Sequence, residues 1–292
     1  MPNVTSKPKI LFAVNECSGN NTIDYATIID GFFEDKQDAA YKILKLQNGD
    51  IKALLKSSIK SFSPDVIVAV GGDGTIKLIA EIVLNTNIAI GVIPAGSANG
   101  MAKELGIPQE PLLALELIYS GDAKPIHLTK INNEICIHLS DIGFNASLVK
   151  RFQNTNHRGM LGYLKAAWST LWKHSNMEAA FTINNQTIKR NAVMIVVANA
   201  TSYGTGITIN PLGRLDDALF EIVIVRKISI SEIIKMRLSR GDFHPDKTEV
   251  FQTDCITIRS KRKVHFQIDG EYYGKVNELI AKIMPEAIKI IY

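Results

Sequence analysis

Apolar positions along this chain follow two different patterns, and the pattern changes near residue 121. Before it, short apolar runs alternate with segments whose apolar residues recur at helical spacing. The runs Lys9–Asn15, Ala40–Leu46, Asp65–Val70 and Ile88–Ile93 predict buried strands. Helical patterns fall at Asp24–Phe33, Asp50–Ile59, Thr75–Leu84, Gly100–Leu105 and Pro111–Tyr119. Such alternation predicts a parallel sheet with helices on both faces.

Beyond Gly121-Asp-Ala-Lys-Pro125, strand-like runs dominate: Ile126–Ile131, Glu134–Leu139, Glu178–Ile183, Thr187–Ala198, Leu219–Val225, Val250–Ile258, Val264–Ile268, Leu279–Ile283 and Ala287–Ile291. Several alternate apolar with polar residues, as antiparallel strands with one wet face do. Helical insertions are expected at Leu161–Lys173 and Ser231–Leu238. The chain therefore divides into an α/β N-terminal domain, 1–125, and a C-terminal antiparallel β-sandwich, 126–292. Its last residues are free to return to the first domain.

Bulk composition narrows the class. The 292 residues are 46% apolar and 21% charged, enough for a real core and contrary to global disorder. A net charge of +4 suits an anionic lipid or nucleotide without singling out either, and no nucleic-acid partner is expected. Cys17, Cys136 and Cys255 have no metal-type spacing and fit a reducing cytosol. The polar start lacks a signal-type apolar core, and no apolar run is long enough for a transmembrane helix. The expected location is the cytoplasm.

The chemistry concentrates where strands end. Asp65–Val70 runs into Gly71, Gly72, Asp73, Gly74 and Thr75, followed by a helical pattern. Glycines let backbone N–H groups approach an anion, and a helix start adds positive partial charge. Asp73 would repel a bare phosphate and makes sense beside a metal ion or a hydroxyl. Nucleotide phosphates handled with Mg²⁺ are therefore expected, the competing reading being a helix cap made by Asp73 or Thr75. Ile88–Pro94 opens into a second turn, Ala95-Gly96-Ser97-Ala98-Asn99-Gly100, before another short helix. Two adjacent glycine turns at the carboxyl edge of a parallel sheet are far stronger evidence than one. An N-cap role is the plainer alternative for Ser97.

At these residues the chain resembles the diacylglycerol-kinase catalytic-domain family, which includes bacterial soluble lipid kinases, sphingosine kinases and ceramide kinases. The matching stretches are Asn15 to Gly19, Gly71 to Thr75, Pro94 to Ala102 and Asp269-Gly270-Glu271, with weaker matches at Gly159–Leu164 and Leu215–Leu219. Gly-Gly-Asp-Gly alone is also similar to NAD kinases and phosphofructokinases, whose nucleotide domain has the same architecture. The resemblance implies an ATP- and Mg²⁺-dependent kinase acting on a lipid hydroxyl at a membrane surface, visited transiently, with the active site in a cleft between two domains.

It also implies residue roles. Asn15, Ser18, Gly71, Gly72, Asp73, Gly74, Thr75, Gly96, Ser97 and Asn99 would hold ATP, with Mg²⁺ near Asp73. Asp269 would be the general base for the acceptor hydroxyl, and Glu271 would support it or reach the metal. On spacing alone, Asp269-Gly270 is simply a hairpin turn. Asp217 would hold a structural Mg²⁺, although Ala218 replaces the family glycine and a plain polar turn is an equal alternative. Further departures are Glu16 for Pro, Leu78 for Glu and Gly100 for Asp, with Glu81 one helical turn beyond Leu78. Ser147 stands where sphingosine kinases carry an Asp for the substrate ammonium, which leaves Asp141 or another acid to replace it. Ser260-Lys-Arg-Lys263 reads as a basic cluster at a hairpin tip. An NAD kinase, or a non-catalytic lipid- or nucleotide-binding relative, remains the alternative.

Overall fold

The computed structural model describes residues 8–16, 18–19, 23–36, 38–47, 49–153, 176–184, 186–203, 207–227 and 243–292. Cys17, the match at Gly159–Leu164 and the helices expected over Leu161–Lys173 and Ser231–Leu238 lie outside them. The chain forms two compact units, Met1–Ile126 with Glu286–Tyr292, and His127–Pro285.

The first unit alternates β1 (Lys9–Asn15), α1 (Tyr25–Phe33), β2 (Ala40–Leu46), α2 (Ile51–Phe62), β3 (Val66–Gly71), α3 (Asp73–Val83) and β4 (Ala89–Pro94), then adds α4 (Gly100–Glu104) and α5 (Pro111–Ser120). Its strands run parallel in the order β4-β3-β1-β2. Helix starts are set locally. Asp24 accepts from the Ala26 and Thr27 amides, Asp50 from Ala53, and Glu110 from Leu113, each satisfying N–H groups that the first turn leaves open. Strands β3 and β4 are buried almost throughout, as expected for a parallel sheet covered on both faces. Phe12 has no exposed surface and meets Phe33 and Tyr41 edge-on at centroid distances of 5.8 and 6.4 Å.

The second unit takes up β5 (Ala123–Ile131) at its start. It continues through β6 (Glu134–Cys136), β7 (Leu139–Gly143), α6 (Phe144–Gln153), β8 (Met177–Ile183), β9 (Gln186–Ala192), β10 (Met194–Ala198), β11 (Ser202–Tyr203), β12 (Ile207–Thr208), β13 (Phe220–Val225), β14 (Thr248–Thr253), β15 (Cys255–Ile268) and β16 (Glu271–Ile291). Antiparallel pairing gives the order β14-β13-β10-β7-β15-β16, and β8 and β9 extend from β15. Alternate residues of β10 and β13 feed two separate cores. Ile195, Val197, Ile222 and Ile224 enter one, and Met194, Val196, Val223 and Val225 the other.

Several elements depart from expectation. Thr187–Ala198 is divided at Val193, and Val250–Ile258 at Asp254. The segments 279–283 and 287–291 belong to one strand, β16. Pro285, which cannot donate to a ladder, and Glu286, with φ 47°, sit where the chain passes from the second unit to the first. Past that point Lys289 and Ile290 pair in parallel with Ala89 and Ile90 of β4. Ser260–Lys263 is not a hairpin tip but the exposed middle of β15, where the register with β16 shifts between Arg259 and Val264. Lys261 pairs with Glu178 there at 2.9 Å, and Arg259 with Glu278.

Phe12→Ala, which removes a fully buried ring from the first unit's aromatic cluster, is expected to cost about 3–5 kcal/mol, read as a lowered denaturant midpoint.

Candidate functional site

In the first unit, the loops following β1, β3 and β4 converge at the carboxyl edge of three neighbouring strands. The Ala95 amide donates to the Gly71 carbonyl at 2.9 Å, tying the second glycine turn to the first. The turns then touch backbone to backbone. A Cβ on Gly96 would lie 2.5 Å from Gly72 Cα, and a Cβ on Gly71 would lie 2.3 Å from Thr75 Oγ1. Glycine is required at both positions because no space exists for a side chain. Thr75 is buried, and its hydroxyl accepts from Asn15 Nδ2 at 3.0 Å, while Asn15's carbonyl accepts from the Ser18 hydroxyl at 2.8 Å. Asn15, Ser18, Gly71, Gly72 and Thr75 therefore lie in one connected edge.

Asp73 is the hub of that edge. Its two carboxylate oxygens accept from the Gly100 and Met101 amides, each at 2.9 Å. The start of α4 is thus capped by a residue from the preceding glycine turn, not by Ser97 or Asn99. Ser97 is exposed. Asn99 adopts φ 50° and turns its side chain inward, accepting from the Gly96 amide at 2.8 Å and donating to Gln109 at 3.2 Å. Gly74 is exposed beside Asp73. Glu81, one helical turn beyond Leu78, pairs with Lys52 of α2 at 2.8 Å. Sequence reasoning passed over Lys77, which is 6% exposed on α3; its lysine identity gave no sign of burial.

In the second unit, Asp269 and Gly270 form the two-residue loop between β15 and β16, flanked by the pair Ile268 and Glu271. Their φ values of 50° and 83° are those of a type I′ hairpin turn. The turn reading is correct, and the carboxylate is also held in place. Asp269 Oδ1 accepts from the His138 amide at 2.9 Å and from Cys136 Sγ at 3.4 Å, and Oδ2 accepts from the Ile137 amide at 3.1 Å. Its own amide donates to Leu139 O at 2.9 Å. Glu271 is exposed. Asp217 accepts from the Leu219 amide at 3.1 Å in a local turn, and Ala218 takes φ 56°, keeping the left-handed conformation that a glycine would supply.

Asp141 is not available to a substrate amine. It has no exposed surface, and its carboxylate accepts from Asn145 Nδ2, the Ala146 amide, Tyr203 Oη and Gln267 Nε2 at 2.7, 2.8, 3.0 and 2.5 Å. Burial pushes its carboxyl up to about 6, while those donors pull the other way. The only sequence signal was an acid inside an apolar run.

Two outcomes follow from these contacts. Gly96→Ala forces backbone against backbone and is expected to separate the glycine turns, at a cost of about 1–3 kcal/mol read as a lowered denaturant midpoint. Asp141 binds its proton more tightly folded than unfolded, so its contribution to stability falls as pH rises through about 6. The unfolding free energy of the wild type relative to Asp141→Asn should drop by up to about 3 kcal/mol between about pH 4 and 7.

Comparison with known proteins shows the family and the fold. Residues 9–131 match the model of the diacylglycerol kinase catalytic domain, and 140–292 that of the YegS C-terminal NAD kinase beta sandwich-like domain. A diacylglycerol kinase of Bacillus subtilis (strain 168) is 26% identical over 230 residues, covering 76% of this chain and 75% of that protein. One from Staphylococcus aureus (strain bovine RF122 / ET3-1) is 26% identical over 221 residues, covering 73% and 70%. The crystal structure of a diacylglycerol kinase from Bacillus anthracis str. Sterne has the same fold, with a TM-score of 0.71 at 18% identity over 97% of this chain and 96% of that one. No helix among the described residues is long and apolar enough to cross a membrane. The glycine turns, the anchored hairpin and both matched domains place this chain in the diacylglycerol-kinase catalytic-domain family, whose members are phosphotransferases with an alcohol acceptor.

Proposed function

We propose that the protein is an ATP-dependent lipid kinase that phosphorylates a lipid hydroxyl of the diacylglycerol or sphingolipid type, as a cytoplasmic protein that docks transiently on membranes. The observation that carries this reading is the close approach of Gly72 and Gly96, with Asp73 tying the first turn to the start of α4, at the carboxyl edge of the parallel sheet. Backbone pressed this closely puts no side-chain bulk in the way of a polyphosphate at the edge of the sheet. Asn15, Ser18, Gly71, Gly72, Gly74, Thr75, Gly96, Ser97 and Asn99 are the nucleotide-binding set.

Asp73 suits Mg²⁺. Each of its oxygens accepts one amide and keeps a second lone-pair direction. Among the described residues no group of three His, Cys, Asp or Glu gathers into a protein cage. A single carboxylate sharing Mg²⁺ with phosphates and waters is the arrangement that ion favours. Bound there, it would neutralise charge on the transferring phosphoryl group. Asp217 offers one carboxylate for a second, structural ion.

Asp269 receives the acceptor hydroxyl. The His138 and Ile137 amides fix its two oxygens, so the plane of the carboxylate is set. A carboxylate held this way orients the hydroxyl for in-line attack and takes its proton. Glu271, exposed next to the turn, supports it. Positioning and charge neutralisation provide most of the acceleration.

Asp73→Asn and Asp269→Asn are each expected to reduce transfer from labelled ATP by about 100-fold or more while the fold persists by circular dichroism. Diacylglycerol, ceramide and a sphingoid base in mixed micelles, with products resolved by mass, identify the acceptor. Phosphorylation of NAD in place of lipid, or nucleotide binding without turnover on any lipid, would sink the proposal.

A further inference from the structure

We propose that Asp141 and Gln267 are positioning residues, a buried carboxylate–amide pair that sets the Asp269–Gly270 turn for acceptor phosphorylation. This rests on the reading of Asp269 given above. Gln267 is 1% exposed and lies on β15, two residues before Asp269. The Gly270 amide can only donate, and it meets Gln267 Oε1 at 2.8 Å. The other end of the same side-chain amide, Nε2, must then face an acceptor, and it faces Asp141 Oδ2 at 2.5 Å. An ionised carboxylate accepts from any direction it is offered, so Asp141 holds the Gln267 amide in the one orientation that serves Gly270.

The surroundings leave Asp141 little else to do. Across β10 the residue paired with it is Val196. Helix α6 contributes Asn145 and the Ala146 amide, β15 contributes Gln267, and β11 contributes Tyr203, the one titratable group bonded to it among the described residues. No cation bonds it among the described residues, and no surface of it reaches a ligand. Burying a carboxylate is costly, and an apolar residue would fill the same core position at lower cost. What an apolar residue could not do is orient Gln267.

Strand β7 grips the same stretch at adjacent points. The Ser140 hydroxyl donates to Gln267 O at 2.8 Å, and Leu139 O accepts the Asp269 amide at 2.9 Å. The backbone of the turn is thus fixed from β7, and the Asp141–Gln267 pair adds a side-chain acceptor for the Gly270 amide.

The test uses the full chain, with Gly270 amide exchange read by NMR beside steady-state kinetics on the lipid acceptor. In Asp141→Asn one acceptor oxygen replaces two, the four donors around it cannot all be met, and the hold on Gln267 Nε2 is weakened, so Gln267 is free to turn over and present a donor to Gly270. Its exchange should quicken about tenfold, and kcat should fall about tenfold while KM for ATP stays within about twofold. The double variant D141N/Q267E rebuilds the pair with reversed polarity. The amide introduced at position 141 then donates to the carboxylate introduced at position 267, which also accepts from Gly270. Both readouts should return to within about threefold of wild type. A purely packing role would not be rescued this way. Unchanged Gly270 exchange in Asp141→Asn, or a double variant no better than the single, overturns the proposal. Should Asp141→Asn not fold, the wild type decides: its Gly270 amide shift must titrate together with the Asp141 carboxyl carbon, and a Gly270 shift that stays flat while Asp141 ionises overturns it. A wild type inert towards every lipid would sink the kinase reading, and Gly270 exchange would still decide the pair.

Discussion

The edge formed by the two glycine turns depends on one bidentate contact, the Asp73 carboxylate on the Gly100 and Met101 amides. It does two physical jobs at once. It satisfies N–H groups that open the α4 helix, where negative charge is favoured. It also fixes the distance between two glycine turns, so that Gly72 and Gly96 sit in backbone contact. Charge-assisted hydrogen bonds are stronger than neutral ones, and two in parallel set direction as well as distance. The spacing of the two turns is therefore set by the protein's own contacts.

The same device recurs in the second unit. Asp269 is held by two consecutive backbone amides, Ile137 and His138, and sits in a hairpin turn whose positive φ values already limit its motion. Each unit thus presents a carboxylate aimed by backbone donors, which cannot reorient as flexible side chains do. Asp141 marks the contrast. It accepts four donors with no exposed surface, so it acts on its neighbours and not on a ligand.

Departures from the family pattern alter side chains more than backbone. Ala218 adopts the left-handed conformation expected of the glycine it replaces. With Gly100 opening α4, the acidic group at that helix start is Asp73. Glu81 pairs with Lys52 and leaves the position of Leu78 without a carboxylate.

Local pattern was enough for much of the protein. The boundaries of β1 and β2, the Asp24 and Asp50 caps, and the glycine turns after β3 and β4 are legible because they follow from the period of apolar residues and from the backbone freedom of glycine. The merging of the last strand across Pro285 and the placement of Ser260–Lys263 within β15 were not legible, because ladder partners far along the chain decide them. The identities of Asp73, Asp269 and Asp141 are given by sequence, but their roles are not. Only tertiary structure brings Gly100 to Asp73, His138 to Asp269 and Gln267 to Asp141. An acid's function is set by which donors surround it and how much water is excluded, and both depend on residues distant in sequence.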